Sequence, residues 1–306
     1  MGVENMEWAA YHPFRSEQAR EQYLAYYDRL AEQWPVPSES RMVATSYGQT
    51  FVRVSGAPQS PPLVLLPGGG AHSLMWLPNI APLSAVFRTY ALDNIYDYGR
   101  SIYTRLPRRI RDDLVHWLDE LFAALGLQHP FYLIGGSQGG WLASQFALRF
   151  PERVAKLVLM APAGTVLRVS LGFIFRALPC QLPYRYFKRQ LFYWVFADLA
   201  RSGEAGRRQV EQSIDELDLA TRCFKPSPAF VNPTVLSDQD LRRLPQETFY
   251  LVGAHDKIYD AHQAVHRLNR VAPHIQTVII PDAGHDYTVV QREMVNNALL
   301  EFLTCP

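Results

Sequence analysis

Apolar positions along the chain fall into two alternating rhythms. Short continuous apolar runs at Leu63 to Leu66, Arg88 to Leu92, Phe131 to Gly135, Lys156 to Met160, Thr248 to Val252 and Gln276 to Ile280 predict buried strands. Between most of them the spacing changes to that of helices, so the pattern predicts an α/β fold, a mostly parallel central sheet with helices on both faces. Upstream, Met42 to Tyr47 and Thr50 to Val54 alternate around Gly48 and predict an antiparallel hairpin at the sheet edge. Still earlier, Tyr23, Tyr27, Leu30 and Trp34 recur at helical spacing, giving residues 1–41 one adhesive face to pack on the body.

The alternation breaks between Gly164 and about Leu236, where the chain turns helical, aromatic and basic. The chain therefore divides into the N-terminal segment 1–41, a core of 42–164 and 237–306, and an inserted helical lid, 165–236. The lid holds Phe173, Phe175, Leu178, Tyr184, Tyr186, Phe187, Phe192, Tyr193, Trp194 and Phe196. These are more apolar side chains than a short surface insertion requires. Some must form the lid's own core, and several are expected to line an apolar pocket.

The sharpest chemical signal lies where the run Phe131 to Ile134 passes through Gly135-Gly136-Ser137-Gln138-Gly139 into a helix. A strand that bends abruptly into a helix strains the residue at the bend and demands small neighbours, which Gly135 and Gly139 supply. Ser137 Oγ would project above the sheet edge, with N–H groups of the helix start facing any anion formed beside it. Five residues of pattern are weak alone, and here the flanking strand and helix carry the inference.

Such a serine needs a base, and the base needs an acid to orient it. Two downstream strands end in suitable loops: Phe249 to Gly253 leads into Ala254-His255-Asp256, and Val278 to Ile280 into Pro281-Asp282-Ala283-Gly284-His285. Asp256 would be the acid and His285 the base. The loop after Met160 reads Ala161-Pro162-Ala163-Gly164 and offers no competing carboxylate. Asp256 could also cap a helix beginning near Ile258. Asp282 and Asp286 read as turn formers, His255 as a loop residue, and Tyr259, Asp260 and His262 as helix surface.

In this order, Ser then Asp then His on loops at strand ends, the chain resembles the α/β-hydrolase family. The resemblance runs from roughly Pro62 to Leu303 through LVLLPGGG, LDNIYDYGRS, GGSQGGWLASQFALRFPERVAKLVLMAP, LVGAHDK and PDAGHDY. It implies an oxyanion hole made by the backbone N–H groups of Gly69 and Gln138, within a loop that has Pro67 where many relatives have His and His72 where many have Ser. It also implies that Asp93 and Ser101, in the stretch after Leu92, bond nearby backbone and serve structure.

Composition adds limits. At 306 residues and 48% apolar, the chain can bury one large core. A net charge of +1 provides no electrostatic footprint for nucleic acid. Arg105, Arg108, Arg109 and Arg111 are followed by Asp112 and Asp113 and read as a solvated helix entry. No paired C-x-x-C, H-E-x-x-H or phosphate-binding loop is present, so neither metal nor cofactor is expected. Cys180, Cys223 and Cys305 suggest no disulfide framework, and the first residues lack a basic start and an apolar core, which makes the cytoplasm the expected location. No apolar stretch reaches the length of a membrane span.

The expected activity is a serine hydrolase acting on a small-molecule ester, a carboxylesterase for small or medium apolar acyl groups, with oligomeric state open. Amide or C–C bond hydrolysis and acyl transfer would use the same three residues. A hydrolase-fold ligand sensor with little turnover is the alternative of another class.

Overall fold

The computed structural model describes residues 7–229 and 231–305. The reading of residues 1–17 as lacking a secretory signal falls in part on residues 1–6, outside the described residues. Helix α1 (Glu17–Ala31) opens the described chain, capped by Ser16, whose side chain accepts from Ala19 N–H. Next come β1 (Ser38–Thr45), β2 (Gly48–Ser55), β3 (Pro62–Leu66), α2 (Ile80–Val86), β4 (Arg88–Leu92), β5 (Ile102–Tyr103) and α3 (Ile110–Ala124). They are followed by β6 (Phe131–Gly136), α4 (Gln138–Arg149) and β7 (Val154–Met160). The helical insertion contains α5 (Leu171–Ala177), α6 (Arg185–Val195), α7 (Ala197–Arg201) and α8 (Glu204–Cys223). The chain closes with α9 (Asp238–Arg243), β8 (Thr248–Gly253), α10 (Ala261–Val271), β9 (Gln276–Ile280), α11 (Tyr287–Val290) and α12 (Arg292–Thr304).

The strands form one sheet in the order β1-β2-β4-β3-β6-β7-β8-β9, with β5 added to β2. Pairing is parallel from β4 through β9 and antiparallel from β1 to β4. Strand β1 begins at Ser38, earlier than the alternation at Met42 predicts, because an exposed edge strand needs no apolar side chains to pair. From β3 the chain winds one way to β4, and from β6 the other way to β7, so right-handed crossovers place their helices on opposite faces. Accordingly α3 packs on α4, and α2 on α12. The reversal opens a crevice at the C-terminal ends of β3 and β6, the place where such sheets bind ligands.

Burial corrects two sequence expectations and bears out a third. Tyr259 is 4% exposed and its hydroxyl meets that of Tyr250 at 3.0 Å, since α10 begins only at Ala261. Asp113 is buried and accepts from Arg108 N–H and Arg109 N–H, both at 2.7 Å, so the entry of α3 is clasped from inside and is not wholly solvated. Within the insertion, Phe173, Phe187, Phe192, Trp194 and Phe196 pack around Cys180, Leu191 and Val195, a small core of their own. Phe175, Leu178, Tyr184 and Tyr186 are exposed.

Candidate active site

Ser137 occupies the bend between β6 and α4 with φ 50° and ψ −117°, a conformation that costs a non-glycine residue of order 1–3 kcal/mol. It persists because its surroundings hold it. Ser137 N–H donates to Met160 O at 2.8 Å, and Ser137 O accepts from Ala163 N–H at 3.0 Å. A methyl group on Gly135 would lie 2.2 Å from Gly139 O, and one on Gly139 would lie 2.4 Å from both Leu66 O and Pro67 O. The two glycines that the bend was expected to require are thus forced by backbone contact. Ala161 and Asp282 also have positive φ, so strain collects along the C-terminal rim of the sheet.

Asp256 lies after β8 and His285 after β9. Their side chains meet: Asp256 Oδ2 and His285 Nδ1 are 2.7 Å apart, and the Asp256 side chain has no solvent exposure. The other oxygen, Oδ1, accepts from Ile258 N–H at 2.7 Å. Asp256 therefore shapes its own loop and binds the histidine at once. With Nδ1–H held by the carboxylate, Nε2 is the nitrogen left to exchange a proton. Burial disfavours the protonated ring, but the Asp256 carboxylate, helped by Asp286, outweighs it and raises the His285 pKa above the ordinary value. Among the described residues no hydrogen bond joins Ser137 Oγ to the His285 ring; catalytic contacts of this kind commonly tighten only when substrate is bound.

The loop after β3 approaches Ser137 closely: a methyl group on Gly68 would stand 3.4 Å from Ser137 Cβ. Gly68 N–H points to Met75 Sδ at 3.2 Å and Gly70 N–H donates to Asp97 Oδ2 at 2.8 Å, whereas Gly69 N–H and Gln138 N–H have no protein acceptor among the described residues. Backbone donors left without a protein acceptor near a strained serine are the kind of group that can serve an oxyanion. The Gln138 carboxamide lies against Gly69, so a side chain there would have to displace it.

Asp93 and Ser101 bond nearby backbone as expected, and further supports of this loop were not read from the sequence. Asp93 Oδ1 accepts from Ser73 N–H at 2.8 Å and Oδ2 from Arg100 N–H at 2.8 Å, while Ser101 Oγ donates to Asp93 O at 2.7 Å. Tyr27 of α1 places its hydroxyl 2.9 Å from Ser73 Oγ and its ring against His72, so α1 supports the site as well as the core. Burial raises the Asp97 pKa to about 6, against the opposing pull of the Gly70 and Tyr98 N–H groups. His72 Nε2 lies 2.7 Å from Glu216 Oε1 on α8, and its Nδ1 accepts from Leu74 N–H at 3.3 Å. Burial opposes protonation of this ring, and Glu216, Asp93 and Asp97 more than compensate, raising its pKa. The Leu74 bond needs an unprotonated Nδ1, so the Nε2–H tautomer is the one that serves both partners.

On the other side, Asp286 is more than a turn former. Its carboxylate accepts from Gly284 N–H at 3.0 Å and from Leu199 N–H, in the first turn of α7, at 2.7 Å. Exposed His255 meets Asp198 of α7 at 3.2 Å. A groove of about 630 Å³ between α1 and α8, lined by Tyr26, Arg29, Glu204, Arg208 and Asp215 among others, includes none of the candidate residues. No metal-binding cluster occurs among the described residues, and no helix there is long and apolar enough to cross a membrane. Cys180, Cys223 and Cys305 are free thiols.

Residues 63–298 match the Alpha/beta hydrolase family, and the chain belongs to it. The chain is 34% identical to the uncharacterized carboxylesterase nap of Bacillus subtilis over 92% of its own length and 91% of the relative's. It is 33% identical to carboxylesterase YbfK of the same organism, over 90% and 92% of the two chains. The crystal structure of naproxen esterase (carboxylesterase NP) from Bacillus subtilis superposes with a TM-score of 0.84 at 30% identity, covering 95% of this chain and all of that one.

Proposed function

We propose that this member of the α/β-hydrolase family is a carboxylesterase that cleaves esters of small or medium apolar acids through Ser137, His285 and Asp256. The observation that carries the reading is the 2.7 Å contact between Asp256 and His285 on the same sheet rim as a serine held at φ 50°. Relatives named as carboxylesterases that match nine-tenths of the chain support the choice of an ester.

In this reading Ser137 Oγ attacks the ester carbonyl as His285 Nε2 takes its proton, and Asp256 stabilises the imidazolium. The carbonyl oxygen becomes an anion between Gly69 N–H and Gln138 N–H, each worth about 3 kcal/mol of transition-state stabilisation. Collapse expels the alcohol, which leaves with the proton from His285. Water, deprotonated by the same ring, then releases the acid and restores Ser137. No step calls on a cofactor or a metal. The division into segment 1–41, core 42–164 and 237–306, and lid 165–236 belongs to this reading, as does a cytoplasmic location.

Labelling purified protein with a broad fluorophosphonate tests it without a guess about substrate. Ser137 should be modified stoichiometrically, and Ser137→Ala and His285→Ala should abolish the label. Folded protein that stays unlabelled and hydrolyses no p-nitrophenyl ester would instead support a ligand-binding role for the same fold.

A further inference from the structure

The segment Pro67 to Ser73 contains three consecutive glycines, the least restrained backbone a chain can have. A donor on such a segment is useful only if both flanks are fixed. Asp97 fixes Gly70 and Asp93 fixes Ser73, and both belong to the loop after β4, part of the core. The third fastening comes from the helical insertion. His72, with its side chain 4% exposed, gives its Nε2–H to Glu216 of α8 at 2.7 Å. The next residue on α8, Leu217, packs over the loop, its Cδ1 3.9 Å from where a methyl on Gly70 would stand.

The contact has the marks of a fastening and not of a surface ion pair. The imidazole is enclosed by the Tyr27 ring, by Leu74 N–H on Nδ1 and by Glu216 on Nε2, so neither nitrogen is left for water or substrate. The charged groups facing it are Glu216 from α8 and Asp93 and Asp97 from the core. Helix α8 is itself fixed: Lys188 of α6, fully buried, donates to Asp218 at 3.1 Å, and Arg185 reaches Glu211 and Asp215. Helix α8 is thus a firm point from which to hold a soft loop.

We propose that Glu216 is a positioning residue for the oxyanion hole: through His72 it couples the place of α8 to Gly69 N–H, so that the inserted helices govern the rate of acyl transfer and not access alone. The proposal rests on the reading of Gly69 and Gln138 as oxyanion donors. Removing the carboxylate would leave a buried Nε2–H without a partner and free the loop to drift from Ser137.

With p-nitrophenyl butyrate, Glu216→Ala should lower kcat about 10- to 100-fold while KM stays within about threefold, because the lost contact matters only once the oxyanion forms. Fluorophosphonate labelling of Ser137 should slow by a similar factor. Glu216→Gln, whose amide oxygen still accepts Nε2–H, should recover most of the rate. The double variant His72→Gln with Glu216→Ala should be no slower than the worse single variant, since both cut one connection. Thermal unfolding of each variant identifies any that fails to fold, and if Glu216→Ala fails, His72→Gln against Glu216→Gln decides. An unchanged kcat, a loss in KM alone, no rescue by Gln, or additive effects in the double variant would each overturn the coupling. Ser137→Ala keeps the two readings apart: if it retains turnover, the hydrolase assignment fails, and if it is inactive while Glu216→Ala is as fast as the parent protein, only the coupling fails.

Discussion

The two sides of the site exchange support with the inserted helices in opposite directions. On the His285 side the core supplies the carboxylate: Asp286 accepts from Leu199 N–H and so anchors α7 to the rim. On the Gly69 side the insertion supplies it: Glu216 holds His72, and the core loop is the part being anchored. The Asp256–His285 pair rests on two strand ends and their turns, and its geometry is complete without α7. The glycine loop lacks that self-sufficiency. A histidine held by a neighbouring strand end needs one partner, whereas an irregular loop needs a fastening from every side that it faces.

The contrast can be broken at three points, in decreasing order of expected effect. Asp256→Asn should lower kcat by about 10³- to 10⁴-fold at neutral pH with little change in thermal stability, since the amide can stabilise neither the required tautomer nor the imidazolium. In the parent protein kcat/KM should rise with pH through a value above the ordinary histidine pKa, because the base works only when neutral and Asp256 favours its protonated form. A pH profile checks this, and an acid limb at the same place in Asp256→Asn would show that another group is titrating.

Asp286→Ala should behave differently. It orphans Leu199 N–H and Gly284 N–H, costing about 1–3 kcal/mol of stability in urea unfolding. Its kcat should fall less than about tenfold, because the Asp256–His285 contact does not pass through α7. A loss as deep as that of Asp256→Asn would mean that this side depends on the insertion too, and the contrast would be gone.

Asp97→Asn should have the smallest consequence for turnover, as an amide oxygen can still accept Gly70 N–H. Its signature is in stability. A buried carboxyl whose folded pKa is raised to about 6 contributes stability that is fully present below its unfolded pKa and lost as pH rises through about 6. Replacing it with an uncharged amide should remove that loss, so the stability of the variant relative to the parent should improve between about pH 4 and pH 7. Unfolding curves across that window measure it; a difference independent of pH would show that Asp97 does not titrate there.

Much of this site could be read before any coordinates. Ser137, Gly135 and Gly139 were legible because the bend is a local steric problem, soluble by neighbours within a few residues. Asp256 and His285 were legible because each directly follows a recognisable apolar strand. The two uses of Asp256, near Ile258 and against His285, were both read from the sequence, and one carboxylate makes both contacts, one with each oxygen. Tyr27 was read as a core residue and is one, yet its hydroxyl also reaches Ser73 and Asp93. Some of the insertion's aromatic residues were expected to form its own core, and several do close over Cys180, Leu191 and Val195, because segregation of a helical insertion from the sheet leaves it needing one.

By itself, then, the sequence determined what short-range sterics and periodicity decide: which runs become strands, where the chain must bend, and which serine, aspartate and histidine end up on one rim. Tertiary structure alone decided that an acid on α8 would meet a histidine after β3, and that an aspartate beside His285 would anchor α7. Those contacts join elements far apart in the chain, and no periodicity records them, since a helix face shows that it will be buried but not which buried group it will meet.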